Sequence, residues 1–224
     1  MISRLDVLLR RAKDVFQTEG LAVLARWAVT RWLFEHADYY LYRNSVKDTS
    51  PTDFMPRIQD FTCKIVHTND EADELATTIG SDFRQCFIDA RERLDKGAIA
   101  FCIFVKSEIA HIGWVALSEE AKKAMHPIPQ KVDFSANEAY VSGGVTIPEY
   151  RGKGLSGHNF AIRMQFLRQR GVTLIRGAVR VNNIAPQILA LRHGAEMYAR
   201  ARYLRILWYK SWKEKPTTEA LQAK

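Results

Sequence analysis

The sequence predicts a mixed α/β domain preceded by a helical extension, and three observations lead to this fold class. From residue 58 onwards, apolar runs of strand-like composition alternate with segments of helical periodicity. A glycine-rich turn at residues 150–157 links a strand to a helix that leads into another strand, which is the pattern of a crossover connection. Residues 2–57 instead carry apolar side chains at helical spacing.

The first segment, residues 1–57, is predicted to be a helical extension with a linker. Apolar residues recur at helical spacing on both sides of Gly20, which predicts two amphipathic helices, and an aromatic stretch follows at residues 39–42. Turn formers at residues 48–52 mark the boundary. The helices either pack on the main domain or on a second subunit, as in a homodimer, or lie on a membrane surface. Packing is preferred because apolar stripes most often mark core faces.

The main domain is predicted over residues 58–213, and residues 214–224 form a polar tail. Acidic residues in the first turn and glycines after the last turn mark the helix ends. The predicted order is strand 61–67, helices 70–80 and 81–97, strands 98–105 and 109–117, a loop over 122–135, strand 139–147, helix 156–170, strand 173–181, helix 184–193, and strands 197–202 and 203–210.

Composition limits the function classes. The chain has 224 residues, 47% of them hydrophobic, and a net charge of +8, which favours an acidic partner such as a nucleotide cofactor, nucleic acid or lipid headgroup. Its three cysteines are widely spaced among apolar neighbours, which predicts reduced thiols, no metal site and a cytoplasmic location. No apolar run approaches the ~20 residues of a membrane span, and charges near the N-terminus interrupt any signal-peptide core.

The glycine-rich turn predicts a site for a phosphate-bearing ligand. Backbone N–H groups in such a turn, together with a helix N-terminus, bind anions. A Walker loop is excluded, because that motif has a glycine, four further residues and then Gly-Lys-Ser or Gly-Lys-Thr, and no segment of the sequence matches it. Residues 152–157 match the dinucleotide fingerprint by letter, but residues 148–151 separate the strand from the first glycine. The next strand also ends without the acidic residue that the fingerprint needs.

Residues 146–156 resemble the acetyl-CoA-binding motif of the GNAT acetyltransferase superfamily. Arg151, Gly154 and Ser156 occupy its defining positions, with serine where glycine or alanine is usual, and the element order over residues 61–210 is also similar. The resemblance implies a mostly antiparallel sheet with a bulged fourth strand, flanked by helices. It also implies acetyl-CoA as the acyl donor, without a metal.

A glycine pair, Gly143-Gly144, interrupts the apolar strand before the motif, which is costly unless the strand bulges or another chain approaches closely. By resemblance, the pantetheine arm of CoA lies in a gap beside this strand. The main-chain partners implied for pantetheine are Gly144, Val145 and Thr146, and the pyrophosphate would be held by Gly152, Lys153, Gly154, Leu155, Ser156 and Gly157, with charge from Arg151 and Lys153. Alternatively, the two cations are solvated and the turn has no ligand.

Asn183 matches an asparagine that often reaches toward pantetheine in the family. Its other interpretation is an N-cap for the helix at residue 184, and the two roles are compatible.

Candidate catalytic residues lie at the start of the bulged strand. Transfer to an amine requires a base that takes a proton from the nucleophile. Glu138 lies thirteen residues before Arg151, a spacing at which some family members place a catalytic glutamate, and strand alternation puts Glu138, Tyr140 and Ser142 on one face. The other interpretation of Glu138 is a solvated carboxylate.

The tyrosine that usually protonates the leaving thiolate in the family is replaced here by Ala190. Three residues are candidate substitutes, namely His193, Tyr198 and Tyr203. Each also has a structural interpretation, and an unassisted thiolate is a further alternative.

The predicted function is an N-acyltransferase that moves an acetyl or short acyl group from CoA to a primary amine in a ternary complex. The acceptor is a small molecule, an amino sugar among the candidates, or a peptide. A catalytically degenerate CoA-binding module is the alternative, because of Ala190. Nucleic acid is not expected as a partner, since no recognised nucleic-acid motif accompanies the positive charge.

Overall fold

The computed structural model describes residues 34–217 of the chain. The two helices predicted before residue 33 therefore lie outside the described residues, as does the end of the predicted polar tail. The described part forms one mixed sheet with helices on both faces, which confirms the predicted fold class.

The sheet has eight strands among the described residues, in the spatial order β2-β3-β4-β5-β6-β1-β7-β8. The strands are β1 (Phe34–Ser45), β2 (Phe61–Val66), β3 (Ile99–Val105), β4 (Glu108–Ala116), β5 (Glu138–Thr146), β6 (Leu174–Arg180), β7 (Glu196–Ile206) and β8 (Tyr209–Pro216). Every neighbouring pair is antiparallel except β5 and β6, which are parallel. The single parallel pair follows from the crossover that the glycine-rich turn begins.

Within residues 34–217, five α-helices flank the sheet: α1 (Asn69–Ile79), α2 (Ala90–Asp95), α3 (Glu119–Met125), α4 (Leu155–Gln169) and α5 (Ile184–Arg192). None of these five helices is both long and apolar enough to cross a membrane. Side chains of α1, α2 and α3 pack around Trp114 on one face of the sheet. On the other face, α4 packs against Phe101 and Val115. Because Trp114 and Val115 are successive residues of β4, strand alternation sends their side chains to opposite helical layers.

The aromatic stretch assigned to the N-terminal extension is part of the sheet. It lies within β1, which pairs with β6 on one side and with β7 on the other. Tyr39, Leu41 and Tyr42 are buried there. The sheet thus begins earlier in the chain than the boundary predicted at residues 48–52. The sequence analysis placed this aromatic stretch in the extension because it lies between the predicted helices and the predicted linker.

Three other elements differ from their predicted bounds. The helix predicted over residues 81–97 is a 3₁₀ turn followed by the short α2. The predicted loop at residues 122–135 begins inside α3, whose Ser118 hydroxyl accepts the Ala121 N–H. The two final strands were predicted to meet at residue 203, whereas β7 continues to Ile206 and β8 takes up part of the predicted tail.

Candidate functional site

The bulge predicted in the fourth strand of the main domain is present in β5. Ile112 of β4 pairs with Val145 and Trp114 pairs with Ser142, so two residues of β5 face one residue of β4. Gly143 adopts a left-handed conformation with a φ of 68°. This is the conformation that a glycine takes at the first position of one common bulge type.

The C-terminal part of β5 is not paired with β6. Their parallel pairing covers only Glu138, Ala139 and Tyr140 of β5, although both strands continue further. A Cβ placed on Gly177 of β6 would lie 3.1 Å from the Val141 carbonyl oxygen, so the strands are still close there. The main chain of residues 144–146 therefore has no strand pairing on its β6 side in the described structure.

The glycine-rich turn brings unpaired N–H groups to the same end of the sheet. Gly152 and Gly154 both have positive φ, 74° and 83°, and Gly154 is the N-cap of α4 without a side-chain capping bond. Within the described residues, the backbone bonds outside regular elements include none donated by residues 152–157. Free N–H groups at the start of a 15-residue helix form an anion-binding arrangement.

Three cationic residues surround this turn. Arg151 is exposed, and its Nε donates to the Thr146 carbonyl oxygen at 3.3 Å, while Lys153 Nζ lies 5.4 Å from the centre of the Tyr150 ring. The third residue, Arg57, was not predicted. Its backbone N–H donates to the Lys153 carbonyl oxygen at 2.9 Å, and its exposed side chain adds positive charge beside the turn.

The segment predicted as a linker packs against α4. The Pro51 carbonyl oxygen lies 3.1 Å from His158 Nδ1, and a Cβ on Gly157 would lie 3.6 Å from Phe54. A Cβ on Gly154 would lie 3.5 Å from Pro56 Cα. The segment therefore limits the space around the helix start, and glycine at position 154 suits both the backbone conformation and this close approach.

Asn183 is located at the N-cap position of α5. Its side chain makes no capping hydrogen bond, and the residue is exposed. The neighbouring strand end is closed instead by Gln187, whose Nε2 donates to the carbonyl oxygens of Arg180 and Val181 at 3.0 and 2.8 Å. The Asn183 amide is thus available to a ligand.

Glu138 is bound by its neighbours. Arg176 of β6 donates two hydrogen bonds of 2.6 Å to its carboxylate, and the Asp133 N–H donates a third of 2.8 Å. The hydrogen bonding by Arg176 is the largest cause that lowers the pKa of Glu138, and it outweighs the desolvation that opposes it. An ionised, fully bonded carboxylate is a weak proton acceptor, so these contacts favour a structural role in joining β5 to β6.

Tyr140 is fully buried, with its hydroxyl 2.6 Å from His126 Nδ1. Burial raises the pKa of Tyr140 above its ordinary value. Desolvation, reinforced by nearby cations, lowers the pKa of His126 to about 3, so this imidazole is neutral at physiological pH. The pair lies in the layer that contains Lys122, whose Nζ donates to the Ile128 carbonyl oxygen.

The three candidate general acids are in different environments. His193 stacks on Phe160, with ring centres 4.1 Å apart, and desolvation lowers its pKa to about 4, so its imidazole is neutral and a poor proton donor at neutral pH. Tyr203 is buried against Trp212 in the core. Tyr198 is partly exposed, and its hydroxyl accepts from Gln130 Nε2 at 3.0 Å. Of the two tyrosines, Tyr198 is the one that is not buried.

Unpartnered polar atoms lie between β4 and α4, a feature that the sequence analysis missed. His111 Nε2, Asn159 Oδ1 and Arg163 Nε are buried without a hydrogen-bond partner in the described structure. A Cβ on Gly113 would lie 2.5 Å from the Asn159 oxygen and 3.1 Å from Arg163 Cζ, so glycine makes room for them. His111 also lies 3.9 Å from the Cβ position of Gly144, which puts this polar group beneath the bulge.

Metal ligands are not grouped in the part of the chain that the structure describes, where no three His, Cys, Asp or Glu side chains could hold an ion together. All three cysteines are free thiols, and desolvation raises the pKa of Cys63 to about 11.

No family model matches the sequence, and no curated protein matches it. The solved structures that resemble the chain are mostly described as GCN5-related N-acetyltransferases. One from Kribbella flavida has 16% identity and a TM-score of 0.47, covering 84% of this chain and 64% of its own. One from Colwellia psychrerythraea has 14% identity and a TM-score of 0.48, covering 84% and 63%.

A conserved protein of unknown function from Staphylococcus epidermidis has 12% identity and a TM-score of 0.49, with 82% of this chain and 66% of that one covered. The chain thus spans just under two thirds of the length of these three structures.

Proposed function

We propose that this chain is an acyl-CoA-dependent N-acyltransferase of the GNAT type, with acetyl-CoA as the donor. The observation that carries the proposal is that β5 pairs with β6 only up to Tyr140, so that the main chain beyond the Gly143 bulge has no strand partner on that side and leads to the free N–H groups at the start of α4. An extended ligand with amides along its length and phosphates at one end matches such a combination.

The donor would be bound mainly by main-chain groups. The main chain of residues 144–146 has no strand pairing on its β6 side and offers hydrogen-bonding groups to the two amides of pantetheine, although the Thr146 carbonyl oxygen already accepts from Arg151 Nε. Residues 152–157 offer N–H groups to the pyrophosphate. Arg151, Lys153 and Arg57 add positive charge, and Asn183 offers its free side-chain amide from the β6 side. The rigid bulge fixes the position of the thioester relative to the acceptor.

In the reaction, the amine nitrogen attacks the thioester carbonyl carbon, the carbon–sulfur bond breaks and the amine loses one proton. The thiolate leaves with the electron pair of the broken bond and takes up a proton. Main-chain N–H groups at the bulge are suited to stabilise the oxyanion that forms during attack. Tyr198 is the candidate that can supply the thiolate proton, since His193 is neutral and Tyr203 is buried.

Glu138 and Tyr140 remain the sequence-based candidates for proton removal. The contacts described above give both residues structural partners, so we propose that solvent water takes the amine proton. The acceptor is then a primary amine of a small molecule or peptide, with an amino sugar among the candidates.

The test is direct. Acetyl-CoA is expected to raise the unfolding temperature, and thiol release over a panel of amino sugars, polyamines and peptides is expected to identify an acceptor. Stabilisation without thiol release with any acceptor would favour the alternative, a CoA-binding module, which the replacement of the usual tyrosine by Ala190 motivates. If acetyl-CoA causes no stabilisation and no acceptor gives thiol release, the proposed CoA site itself is contradicted.

A further inference from the structure

Buried N–H donors lie beside the Gly143 bulge, on the face of the sheet that carries α2. Arg93 Nε, Arg93 Nη1 and Trp114 Nε1 have no hydrogen-bond partner among the described residues. Arg93 is 7% exposed and Trp114 is 0% exposed. A buried polar group without a partner is destabilising, and nearly all such groups in proteins are paired. These three atoms therefore indicate that a hydrogen-bond acceptor from outside the described residues belongs here.

The Arg93 guanidinium is packed directly against the bulge. A Cβ on Gly143 would lie 3.0 Å from Arg93 Nη1 and also 3.0 Å from Trp114 Cδ1, the ring atom bonded to Nε1. A side chain at position 143 would thus press on both groups. Glycine keeps the donors of Arg93 and Trp114 next to the main chain of the bulge, with no side chain between them.

The position of the guanidinium is fixed on three sides. It lies 4.6 Å from the centre of the Phe87 ring and 5.2 Å from that of the Trp114 ring, which are favourable distances for a cation over an aromatic ring. Only one of its nitrogens, Nη2, donates to a carboxylate, that of Asp89 at 3.2 Å. The Asp89 side chain is 27% exposed, so water shares its charge. The guanidinium is therefore held in place while two of its three nitrogens keep free N–H groups.

Positive charge in this layer is only partly compensated. Three other arginines have hydrogen-bonded carboxylate partners, namely Arg84, Arg176 and Arg180. Lys122 is buried, its Nζ donates to a carbonyl oxygen, and the Glu119 carboxylate is 3.8 Å away. Desolvation is the largest cause that lowers the pKa of His126, and the positive charges of Lys122 and Arg93 add to it. An anionic group is thus favoured over a neutral one beside Arg93.

We propose that Arg93 and Trp114 bind the carboxylate of the acceptor, so that the acceptor is an amino acid. The inference rests on the proposed function, in which the thioester lies at the same bulge. All three free atoms are donors, and a guanidinium forms its strongest hydrogen bonds with an anion. A dianionic phosphate fits less well, because Asp89 already places a negative charge beside the guanidinium.

The location of the donors limits the kind of amino acid. Since the carboxylate binds next to the bulge and the amine attacks there, the two groups must be close together, as they are in an α-amino acid. Phe87 lies over the guanidinium and is partly exposed, so rotation of this one ring admits the carboxylate.

The first test uses the wild-type full chain and needs no variant. Unfolding temperatures are measured with a panel of α-amino acids, each compared with its carboxamide, in the presence and absence of CoA. At least one amino acid is expected to bind roughly ten times more tightly than its carboxamide, because the carboxamide lacks the charge. The same amino acid is expected to release thiol from acetyl-CoA. Equal effects of acids and carboxamides, or no effect of any acid, would overturn the proposal.

The second test is Arg93→Met, which keeps a long apolar side chain between Phe87 and Trp114 but removes the charge and the donors. The KM for the amino acid is expected to rise tenfold or more with little change in kcat, because ground-state and transition-state binding are lost equally. Stabilisation by acetyl-CoA should equal that of wild type, and circular dichroism verifies the fold. A wild-type KM in this variant would contradict the role of Arg93.

The matched control is Arg91→Met on the same helix. Arg91 also faces a carboxylate, with its Nη2 3.4 Å from Asp73, but its side chain is 37% exposed. The KM of this variant is expected to stay within about twofold of wild type, because exposed ion pairs contribute little.

The outcomes separate this proposal from the acyltransferase proposal. Thiol release with neutral amines, but not with amino acids, would overturn the carboxylate site alone. A stronger effect of aminoalkyl phosphates than of amino acids would do the same. Stabilisation by amino acids over their carboxamides, without any effect of acetyl-CoA, would support the Arg93 site and contradict the donor site.

Discussion

The polar groups at the two ends of β5 differ in whether they have hydrogen-bond partners. At its start, Glu138 accepts three hydrogen bonds and Tyr140 is buried against His126. At its end, the main chain of residues 144–146 lacks strand pairing toward β6, and the glycine-rich turn leaves N–H groups free. The start of β5 contains residue types usually associated with catalysis, but these already have partners. The main-chain groups without partners lie at its end. We therefore propose that free hydrogen-bonding groups, rather than residue types associated with catalysis, mark the ligand site of this chain.

The difference has a common physical origin. The parallel pairing of β5 with β6 requires the two strands to be fixed at one end, and the ion pair between Glu138 and Arg176 fixes them there. The β5–β6 pairing ends at Tyr140, and the bulge at Gly143 then bends β5 and increases its local twist. We call residues 138–140 the closed end of β5 and residues 144–146 its open end. We interpret the contacts at the closed end as the support that holds the open end in place.

The largest expected effect concerns the open end. Gly154→Ala places a side chain at a φ of 83°, beside Pro56, and is expected to turn the N–H groups away from a bound pyrophosphate. Loss of two charge-assisted hydrogen bonds, about 3 kcal/mol, weakens acetyl-CoA binding roughly a hundredfold. Titration calorimetry with acetyl-CoA measures this.

The matched control for that variant is Gly171→Ala, which follows α4 at its other end. Gly171 has a similar φ of 73° and open space around its Cβ position. The two variants therefore share the backbone cost of about 1 to 2 kcal/mol in stability, but only the first should lose binding. Equal affinities of the two variants would contradict the assignment of the phosphate site.

A smaller effect is expected at the closed end. Glu138→Gln weakens the ion pair with Arg176, whose side chains are 10% and 23% exposed, and should lower stability by about 1.5 kcal/mol at neutral pH. Acetyl-CoA affinity should change little as long as the protein is folded. Chemical denaturation, with activity measured at a temperature where both proteins are folded, separates the roles. A large loss of turnover in a fully stable variant would instead support Glu138 as the base.

The same residue predicts a dependence of stability on pH. Because the folded-state pKa of Glu138 is lowered, its contribution is present above the unfolded-state value near 4.5 and is lost as pH falls through the folded-state value. The difference in unfolding free energy between wild type and Glu138→Gln should therefore shrink as the pH is lowered below about 4.5. Denaturation at several pH values measures it, and a constant difference would contradict the ion pair.

The smallest effect is expected for Asn183→Ala. Since the side chain makes no capping bond, the substitution should leave stability within about 0.5 kcal/mol, while acetyl-CoA affinity falls about fivefold for one lost hydrogen bond. Paired thermal denaturation and calorimetry distinguish the outcomes. A loss of stability without a loss of affinity would assign Asn183 to the helix alone.

Local patterns predicted much of this molecule. The alternating elements after residue 58, the bulge at Gly143 and the glycine-rich turn each depend on the properties of a short segment, so the sequence was sufficient to find them. The insertion of β1 between β6 and β7 depends on pairing with residues more than a hundred positions away, as between Tyr39 and Arg180. Periodicity carries no information about such partners.

The same limit applies to the site. The bond between Arg57 and Lys153 joins two segments that sequence analysis assigned to separate units. Glu138 was a candidate base by its spacing, whereas its partner Arg176 is 38 residues away in the chain. The buried polar atoms of Asn159 and Arg163 become neighbours of Gly113 only when α4 packs on the sheet. What could not be predicted is in each case a contact between distant segments.

The most direct test of the proposed donor site is hydrogen–deuterium exchange of the full chain with and without acetyl-CoA. Slower exchange is expected for the amides of residues 144–146 and 152–157, with little change at residues 138–140, whose amides lie in the paired part of β5. Binding of acetyl-CoA with no added protection at the open end of β5 and at the glycine-rich turn would contradict the proposed donor site.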